Sequence, residues 1–301
     1  MVAGAQPNYS YALAESVQPR NAEQYAPQKL GLAEAHRLAT GNRVVVAVID
    51  SEVDASHPDL AGAVTASFNA SLDREKPHAH GTGMAGAIAA RRTVLGTAPR
   101  VGLLTINAFS TKAAEAEGTT FTILKGLDWA AAQGARIINM SFAGPSDPRL
   151  RDALLKANRK GIVLIAAAGN AGPNSPPLFP AADPNVIAVT ATDIDDALFS
   201  GANRGNHIAV AAPGVDVLVP APDGAFQFTT GTSVAAAEVS GVVALLLERN
   251  PSLTPADVRR ILSGTAKDLG PKGRDPSFGA GLVDALRAVM AAPGGRPQTG
   301  Y

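Results

Sequence analysis

Continuous apolar runs alternate along the chain with segments of helical periodicity. The runs are rich in β-branched and aliphatic residues, which is typical of parallel strands buried on both faces of a sheet. In chain order they are RVVVAVID (43–50), RVGLLTINAF (100–109), ARIINMSF (135–142), IVLIAAAGN (162–170), NVIAVTAT (185–192) and HIAVAAPG (207–214). Helices are predicted at KLGLAEAHRLATGN (29–42), TTFTILKGLDWAAAQG (119–134), DPRLRDALLKANRKG (147–161), from near Thr232 onwards, and at LTPADVRRILSGTA (253–266).

This alternation predicts an α/β fold with three layers, in which a mostly parallel central sheet of about seven strands carries helices on both faces. Ligands of such folds bind at the carboxyl ends of the strands. No internal repeat or linker divides residues 29–292, so we predict that they form one domain. Residues 1–28 are predicted to be an N-terminal arm that wraps the surface or is partly disordered, and residues 293–301 a flexible C-terminal tail.

The composition narrows the classes of function. The 26 basic and 26 acidic residues balance, so the chain lacks the electrostatic signature of a protein that binds nucleic acid or an anionic membrane. Cysteine is absent, which excludes disulfides, thiolate catalysis and cysteine-bound zinc. No apolar run reaches the length of about 18 residues that a membrane span requires. The first residues lack the basic and apolar regions of an intact signal peptide.

The stretch HAHGTGMAG (78–86) admits three interpretations. A dinucleotide-binding Gly-x-Gly-x-x-Gly loop requires a preceding strand and a later acidic residue, and the polar segment DREKPHAH provides no strand. A metal pair formed by His78 and His80 lacks a further ligand at a suitable spacing. The third interpretation is a helix of small residues that packs closely against a neighbour and carries a catalytic imidazole at its start.

A histidine base requires a nucleophile and an orienting acid, and the chain offers candidates for both. Asp50 ends a predicted strand, where its carboxylate can accept the Nδ1–H of an imidazole and stabilise the imidazolium. Ser233 begins a predicted helix in GTSVAAAEVSG, where unpaired N–H groups favour an oxyanion. Each residue alone has an ordinary explanation, because Asp often forms turns and Ser often caps helices. The order Asp, His, Ser differs from that of the α/β-hydrolases.

Together these motifs resemble the subtilisin-like serine proteases, the subtilase family, over roughly residues 29–290. The resemblance is carried by VAVIDSEVDASHPDL, HGTGMAG, IINMSFAGPS, AAAGNAGP, VIAVTAT, VAAPG and TTGTSVAAAEVSG. It implies a serine endopeptidase of broad specificity with an apolar preference, acting through an acyl-enzyme. It also implies that Ser233 is the nucleophile and His80 the base, with Asp50 as the partner of His80 and Asn170 as an oxyanion donor.

The resemblance further implies that substrate binds as an extended strand between two segments of the enzyme. By matching of residues, these segments are Glu117–Gly118 and Ser141–Phe142–Ala143.

The pocket beside the scissile bond is expected near Ala167, Ala168 and Leu178. Leu178 stands where a small residue would leave a deep pocket, so we predict a shallow apolar pocket for mid-sized side chains. Phe179–Pro180 matches a cis X-Pro site of the family.

The resemblance implies no cofactor for the chemistry and no catalytic metal, and it leaves a structural calcium ion open. Asp59 in HPDL is a candidate remnant ligand, but the segment RRTVLGTAPR (91–100) lacks an Asn-rich calcium loop, so we expect that site to be absent. The expected partners are polypeptide substrates and a cleaved pro-segment that the chain does not include, with no nucleic acid and no membrane span. The expected protein is a monomer, secreted or periplasmic.

Two alternatives remain open. Glu52, where Gly is usual, and Glu238 favour a catalytically impaired subtilase that serves as a binding module. Ala237, where Pro is usual, favours a narrow processing protease or an acyl transferase that uses the same triad.

Overall fold

The computed structural model describes residues 8–12, 24–71, 76–111 and 116–292. The predicted tail at residues 293–301 and most of the predicted N-terminal arm lie outside the described residues. Within these ranges the strands are β1 (Ser10–Ala12), β2 (Val45–Asp50), β3 (Val64–Asn69), β4 (Gly102–Asn107), β5 (Phe109–Ser110), β6 (Glu117–Thr119), β7 (Ile137–Met140), β8 (Val163–Ala167), β9 (Val186–Thr192), β10 (Ile208–Pro213), β11 (Val217–Ala221) and β12 (Ala225–Thr229). The helices are α1 (Ala26–Lys29), α2 (Leu32–Ala35), α3 (Ala79–Ala89), α4 (Thr120–Ala132), α5 (Pro148–Arg159), α6 (Thr232–Arg249), α7 (Pro255–Thr265) and α8 (Ala285–Ala291).

A seven-stranded parallel sheet forms the centre of the domain, with the strand order β10-β9-β8-β7-β2-β4-β3. Side chains alternate between its two faces, so Val46 and Val48 of β2 enter one apolar layer while Ala47 and Ile49 enter the other. Helices α3, α6, α7 and α8 complete the first layer, and α4 and α5 complete the second. The predicted three-layer α/β fold is confirmed.

Several parts of the fold differ from the prediction. The helix predicted over residues 29–42 is interrupted, because Gly31 adopts the left-handed conformation (φ +67°) between α1 and α2. Strands β1, β3 and β6, the β11–β12 hairpin and helix α8 were not predicted. The side chains of β3 are only partly buried or exposed, since β3 is an edge strand, and its sequence VTASFN therefore lacks the continuous apolar run of the central strands.

The strand order determines which residues meet at the carboxyl edge of the sheet. Strands β8, β7 and β2 are neighbours, so the residues that follow them lie side by side. Helices α3 and α6, which pack against each other, carry their first residues to the same edge. A second, three-stranded sheet has the order β1-β6-β5. Among the described residues, no helix has both the length and the apolar character needed to cross a bilayer.

Candidate active site

Asp50 and His80 form a buried hydrogen-bonded pair. Oδ1 of Asp50 lies 2.7 Å from Nδ1 of His80, and both side chains are almost completely shielded from solvent. Asp50 is the last residue of β2, and His80 stands in the first turn of α3. A carboxylate bound to Nδ1 favours the tautomer in which Nε2 is free of hydrogen and can accept a proton.

Ser51, which the sequence analysis missed, holds this pair in position. Its N–H donates to Oδ1 of Asp50 (2.7 Å), and its hydroxyl accepts a hydrogen bond from the N–H of Gly81 (3.0 Å). A Cβ at position 81 would lie 2.3 Å from the carbonyl oxygen of Ser51, so only glycine fits there. His78 caps α3 and places its Nδ1 3.0 Å from the Ser51 hydroxyl. The small residues of HAHGTGMAG therefore serve close packing, as predicted.

Ser233 lies in the first turn of α6 and is tied to Ser141, the residue that follows β7. The hydroxyl of Ser233 donates to the carbonyl of Ser141 (3.1 Å), and the hydroxyl of Ser141 donates to the carbonyl of Ser233 (3.0 Å). Asn139 donates to the Ser141 hydroxyl, and Ser240 donates to Asn139, each at 2.9 Å. This buried chain of hydrogen bonds fixes the start of α6 relative to the sheet.

Asn170, shortly after β8, is oriented by Thr232. The side-chain Oδ1 of Asn170 accepts hydrogen bonds from the N–H (3.0 Å) and the hydroxyl (2.8 Å) of Thr232. The same hydroxyl accepts from the N–H of Gly169 (3.0 Å). Because both bonds engage the amide oxygen, the amide NH₂ of Asn170 is the group that can donate to a ligand. Thr232 was also missed, although its position directly before Ser233 in GTS was a usable signal.

The two predicted substrate-binding segments lie on either side of one strand. Glu117 is exposed and Gly118 buried in β6, while Ser141 and Phe142 are buried and Ala143 is half-buried. The intervening strand is β1, which pairs with β6 along one edge and with Ala143 at the other.

The predicted pocket residues cluster at the end of β8. Ala167 and Ala168 are buried, and Leu178 is half-buried. A methyl group of Leu178 would lie 3.2 Å from a Cβ at Gly169, so Leu178 borders the residue that precedes Asn170. The Phe179–Pro180 peptide bond is cis, as predicted.

Glu238 is buried in α6. The hydroxyl of Thr97, in the loop after α3, donates to its carboxylate. Burial raises the pKa of Glu238 to about 8.

One carboxylate oxygen of Asp59 is bound by backbone N–H groups. Oδ2 of Asp59 accepts hydrogen bonds from the backbone N–H groups of Thr93 (3.0 Å) and Val94 (2.8 Å), whereas calcium takes about six to eight oxygen ligands. The remaining oxygen, Oδ1, could supply one such ligand. Within the described ranges, no group of three or more His, Asp or Glu side chains is placed to hold a metal ion.

Comparison with known proteins relates the chain to one protein family. Residues 41–281 match the model of the subtilase family. Thermitase of Thermoactinomyces vulgaris is 34% identical over 278 residues, which cover 90% of this chain and 97% of thermitase. Subtilisin DY of Bacillus licheniformis is 37% identical over 258 residues, covering 83% of this chain and 92% of that protein.

A longer relative matches in both sequence and structure. Fervidolysin of Fervidobacterium pennivorans is 33% identical over 297 residues, which cover 85% of this chain but 42% of fervidolysin. Its crystal structure, described as that of a keratinolytic enzyme related to subtilisin, matches with a TM-score of 0.83 and 28% identity over 94% of this chain and 51% of that chain. The chain thus spans about half of fervidolysin or less, and nearly all of thermitase.

Proposed function

The chain belongs to the subtilase family of serine proteases, and from this premise we propose that it is an endopeptidase whose catalytic triad is Ser233, His80 and Asp50. The observation that carries the assignment is the buried hydrogen bond between His80 and Asp50, at the sheet edge where Ser233 lies in the first turn of α6. The intact order Asp, His, Ser adds support from the sequence.

In the proposed reaction, the Ser233 hydroxyl turns from the carbonyl of Ser141 towards His80 and attacks the carbonyl carbon of the scissile bond. Nε2 of His80 takes the hydroxyl proton as the Oγ–C bond forms, and Asp50 stabilises the imidazolium. The carbonyl electron pair moves onto oxygen, where the NH₂ of Asn170 and the N–H of Ser233 stabilise the negative charge. His80 then gives its proton to the leaving amine as the C–N bond breaks. In the second step His80 takes a proton from water, the water oxygen attacks the acyl carbon, and the proton passes to Oγ of Ser233 as the Oγ–C bond breaks.

We propose a broad specificity with a preference for mid-sized apolar side chains next to the scissile bond. Leu178 supports this because one of its methyl groups borders Gly169, where a small residue would leave a deeper pocket. Backbone pairing to Glu117–Gly118 and Ser141–Ala143 is common to all polypeptides, which accounts for breadth.

The proposed setting follows from the family. We propose that the protein acts as a monomer on polypeptides outside the cytoplasm, secreted or periplasmic, and needs no cofactor for the chemistry. Incubation with a calcium chelator is therefore expected to leave the rate of hydrolysis unchanged, because Asp59 is held by backbone N–H groups.

Labelling with a fluorophosphonate tests the triad. We expect covalent labelling of the wild type and none of Ser233→Ala, together with casein digestion that a serine-directed inhibitor abolishes and whose cleavage sites mass spectrometry locates. Absence of labelling and of digestion would instead support the impaired binding module. If an added amine nucleophile captured most of the acyl groups, the acyl transferase would be the better description.

A further inference from the structure

The loop that carries Asn170 packs against the loop that joins β9 to β10. Asn203 of the second loop is completely buried, although its side chain is a polar amide. Its N–H donates a hydrogen bond to the carbonyl of Gly169 (3.0 Å). A second bond between the loops runs from the N–H of Gly172 to the carbonyl of Gly201 (2.9 Å). The β9–β10 loop is therefore bound to the main chain on both sides of Asn170.

Asn203 binds both of the peptide groups that meet at the Cα of Asn170. Its N–H binds the carbonyl of the first group, which joins Gly169 to Asn170. Its side-chain Oδ1 accepts a hydrogen bond from the N–H of Ala171 (2.9 Å), which belongs to the second group. The orientations of two such planar groups set φ and ψ of the residue between them. One residue thus fixes the backbone of Asn170, and with it the direction of the Cα–Cβ bond.

The side chain of Asn203 lies directly against Gly169. A Cβ at Gly169 would be 2.5 Å from Nδ2 and 3.1 Å from Cγ of Asn203. Gly169 also has a φ of +107°, which residues with a side chain rarely adopt. Glycine at this position therefore allows the Asn203 amide to approach the backbone next to Asn170.

Asn203 and Thr232 hold different parts of Asn170. The N–H and the hydroxyl of Thr232 bind the side-chain Oδ1 and so orient the amide group. Asn203 binds the flanking main chain instead. A hydrogen bond weakens steeply as its angle departs from linearity, so the NH₂ of Asn170 needs both restraints to point at an oxyanion.

We propose that Asn203 is a positioning residue for the oxyanion donor, acting on the transition state through Asn170. The inference rests on the proposed function, in which the NH₂ of Asn170 stabilises the charge that develops on the carbonyl oxygen. Substrate in its ground state carries no such charge. Loss of the restraint from Asn203 therefore lowers kcat and leaves KM nearly unchanged.

Kinetics of Asn203→Ala and Asn203→Leu on a peptide anilide test the proposal. Both variants remove the acceptor of the Ala171 N–H, and Leu fills the space that Ala leaves empty, so a common effect arises from the lost bond and not from a cavity. We expect kcat to fall about tenfold in each, with KM nearly unchanged, when rates are divided by the concentration of active sites found by titration. A wild-type kcat in either folded variant would overturn the proposal.

Asn250 provides a matched control. It is also buried, and its Oδ1 also accepts a backbone N–H, that of Ser252 (3.1 Å), but it lies at the opposite end of α6 from Ser233. Asn250→Ala is expected to lower the free energy of unfolding without changing kcat. An equal fall in kcat in Asn250→Ala and Asn203→Ala would show that general destabilisation is the cause, and the positioning role would be wrong.

Inhibition by a peptide boronic acid gives a readout that a merely structural role would not change. Its tetrahedral adduct with Ser233 places an oxygen where the oxyanion forms, so it resembles the transition state. We expect its inhibition constant to rise in Asn203→Ala by the same factor by which kcat falls. An unchanged inhibition constant would contradict the proposal even if kcat fell.

A double variant separates this proposal from the proposed function. In an Asn170→Ala background, Asn203→Ala is expected to lower kcat little further, because the donor that it positions is absent. If Asn170→Ala itself leaves kcat unchanged, the oxyanion assignment in the proposed function is wrong, and the role of Asn203 is wrong with it. If Asn170→Ala lowers kcat but Asn203→Ala does not, only the role of Asn203 is wrong.

Discussion

The hydroxyl of Thr232 links two backbone segments at the candidate oxyanion site. It donates to Asn170 and accepts from Gly169, so Thr232→Val removes both bonds while keeping the shape of the side chain. We expect kcat to fall about tenfold with KM nearly unchanged, because Asn170 loses one of the two donors that orient it. Steady-state kinetics on a peptide anilide provide the measurement.

The control for this prediction is Asn170→Ala. If Asn170 is the oxyanion donor, we expect this substitution to lower kcat about 10²–10³-fold, which is the effect of losing an oxyanion donor in subtilisin. If Thr232 acts only by positioning Asn170, adding Thr232→Val to Asn170→Ala should lower kcat little further. A double variant whose loss in kcat equals the product of the two single losses would contradict that role.

Leu178 is the residue on which the proposed pocket depth depends. Leu178→Ala removes the methyl groups beside Gly169, so we expect the ratio of kcat/KM for Phe over Leu peptides to rise about tenfold. The peptides differ only in the residue before the scissile bond. Comparable kcat/KM for the Phe and Leu peptides in the wild type would refute the shallow pocket.

At the scale of elements, α6 is anchored at both ends. Its start is bound to Ser141 and Asn170, and near its end Oε2 of Glu248 accepts hydrogen bonds from the N–H groups of Thr40 (2.7 Å), Gly41 (2.6 Å) and Asn42 (2.9 Å). These three donors belong to the turn that leads into β2. The carboxylate therefore joins the helix that carries Ser233 to the strand that carries Asp50.

Glu248→Ala leaves these three N–H groups without their acceptor. We expect a loss of about 3 kcal/mol in the free energy of unfolding, since bonds to a charged acceptor are stronger than neutral ones. Urea unfolding in a Ser233→Ala background, where self-digestion is prevented, gives the value. The control is Glu34→Ala, which breaks an exposed ion pair with Arg37 and should cost less than about 1 kcal/mol. Equal losses would exclude the anchoring role.

At the scale of the whole molecule, buried Glu238 makes stability depend on pH. Its pKa is about 8 in the folded protein, above the ordinary value of 4.5, because burial disfavours the carboxylate. Between these two values the folded state binds more protons than the unfolded state, so stability is lost as pH rises, at up to about 1.4 kcal/mol per pH unit. Thr97 donates to the carboxylate, and Tyr25, whose pKa is also raised by burial, is the nearby ionisable group that interacts with it.

Glu238→Gln should remove this dependence. The amide keeps an oxygen that can accept from Thr97, so the variant is expected to match the wild type near pH 4 and to exceed its stability increasingly up to pH about 8. Urea unfolding at a series of pH values measures the difference in the free energy of unfolding between the two proteins. The contributions of all other ionisable groups cancel in this difference. Parallel curves for the two proteins would show that Glu238 is not the cause.

The sequence predicted those parts of the fold that depend on local patterns of apolar and polar residues. Continuous apolar runs predicted the central strands β7 to β10, because strands covered on both faces contain few polar residues. The half-exposed edge strand β3 lacks such a run, and the break at Gly31 depends on a single backbone conformation. Neither feature is apparent from periodicity.

Of the candidate site, only the residues that stand within sequence motifs could be predicted. Asp50, His80 and Ser233 were proposed from their places at the ends of predicted strands and helices, and Asn170 from the family resemblance. The structure brings Asp50 and His80 into direct contact. Ser51 binds Asp50 and Thr232 binds Asn170 through hydrogen bonds. Such contacts depend on the folded geometry, so the residue types alone do not predict them. The pairing of Ser10–Ala12 with β6 joins distant parts of the chain, so local composition contains no sign of it.

The carboxyl edge of the central sheet is assembled from segments that lie far apart along the chain. Strand β2 lies between β7 and β4, and the helix bearing Ser233 comes later than all three. If Ser233 is the nucleophile, as proposed, a chain that is still being synthesised has no hydrolytic activity until α6 has been made. In refolding, hydrolysis should return no earlier than the last global signal of the native state, since long-range strand pairing is the slow step.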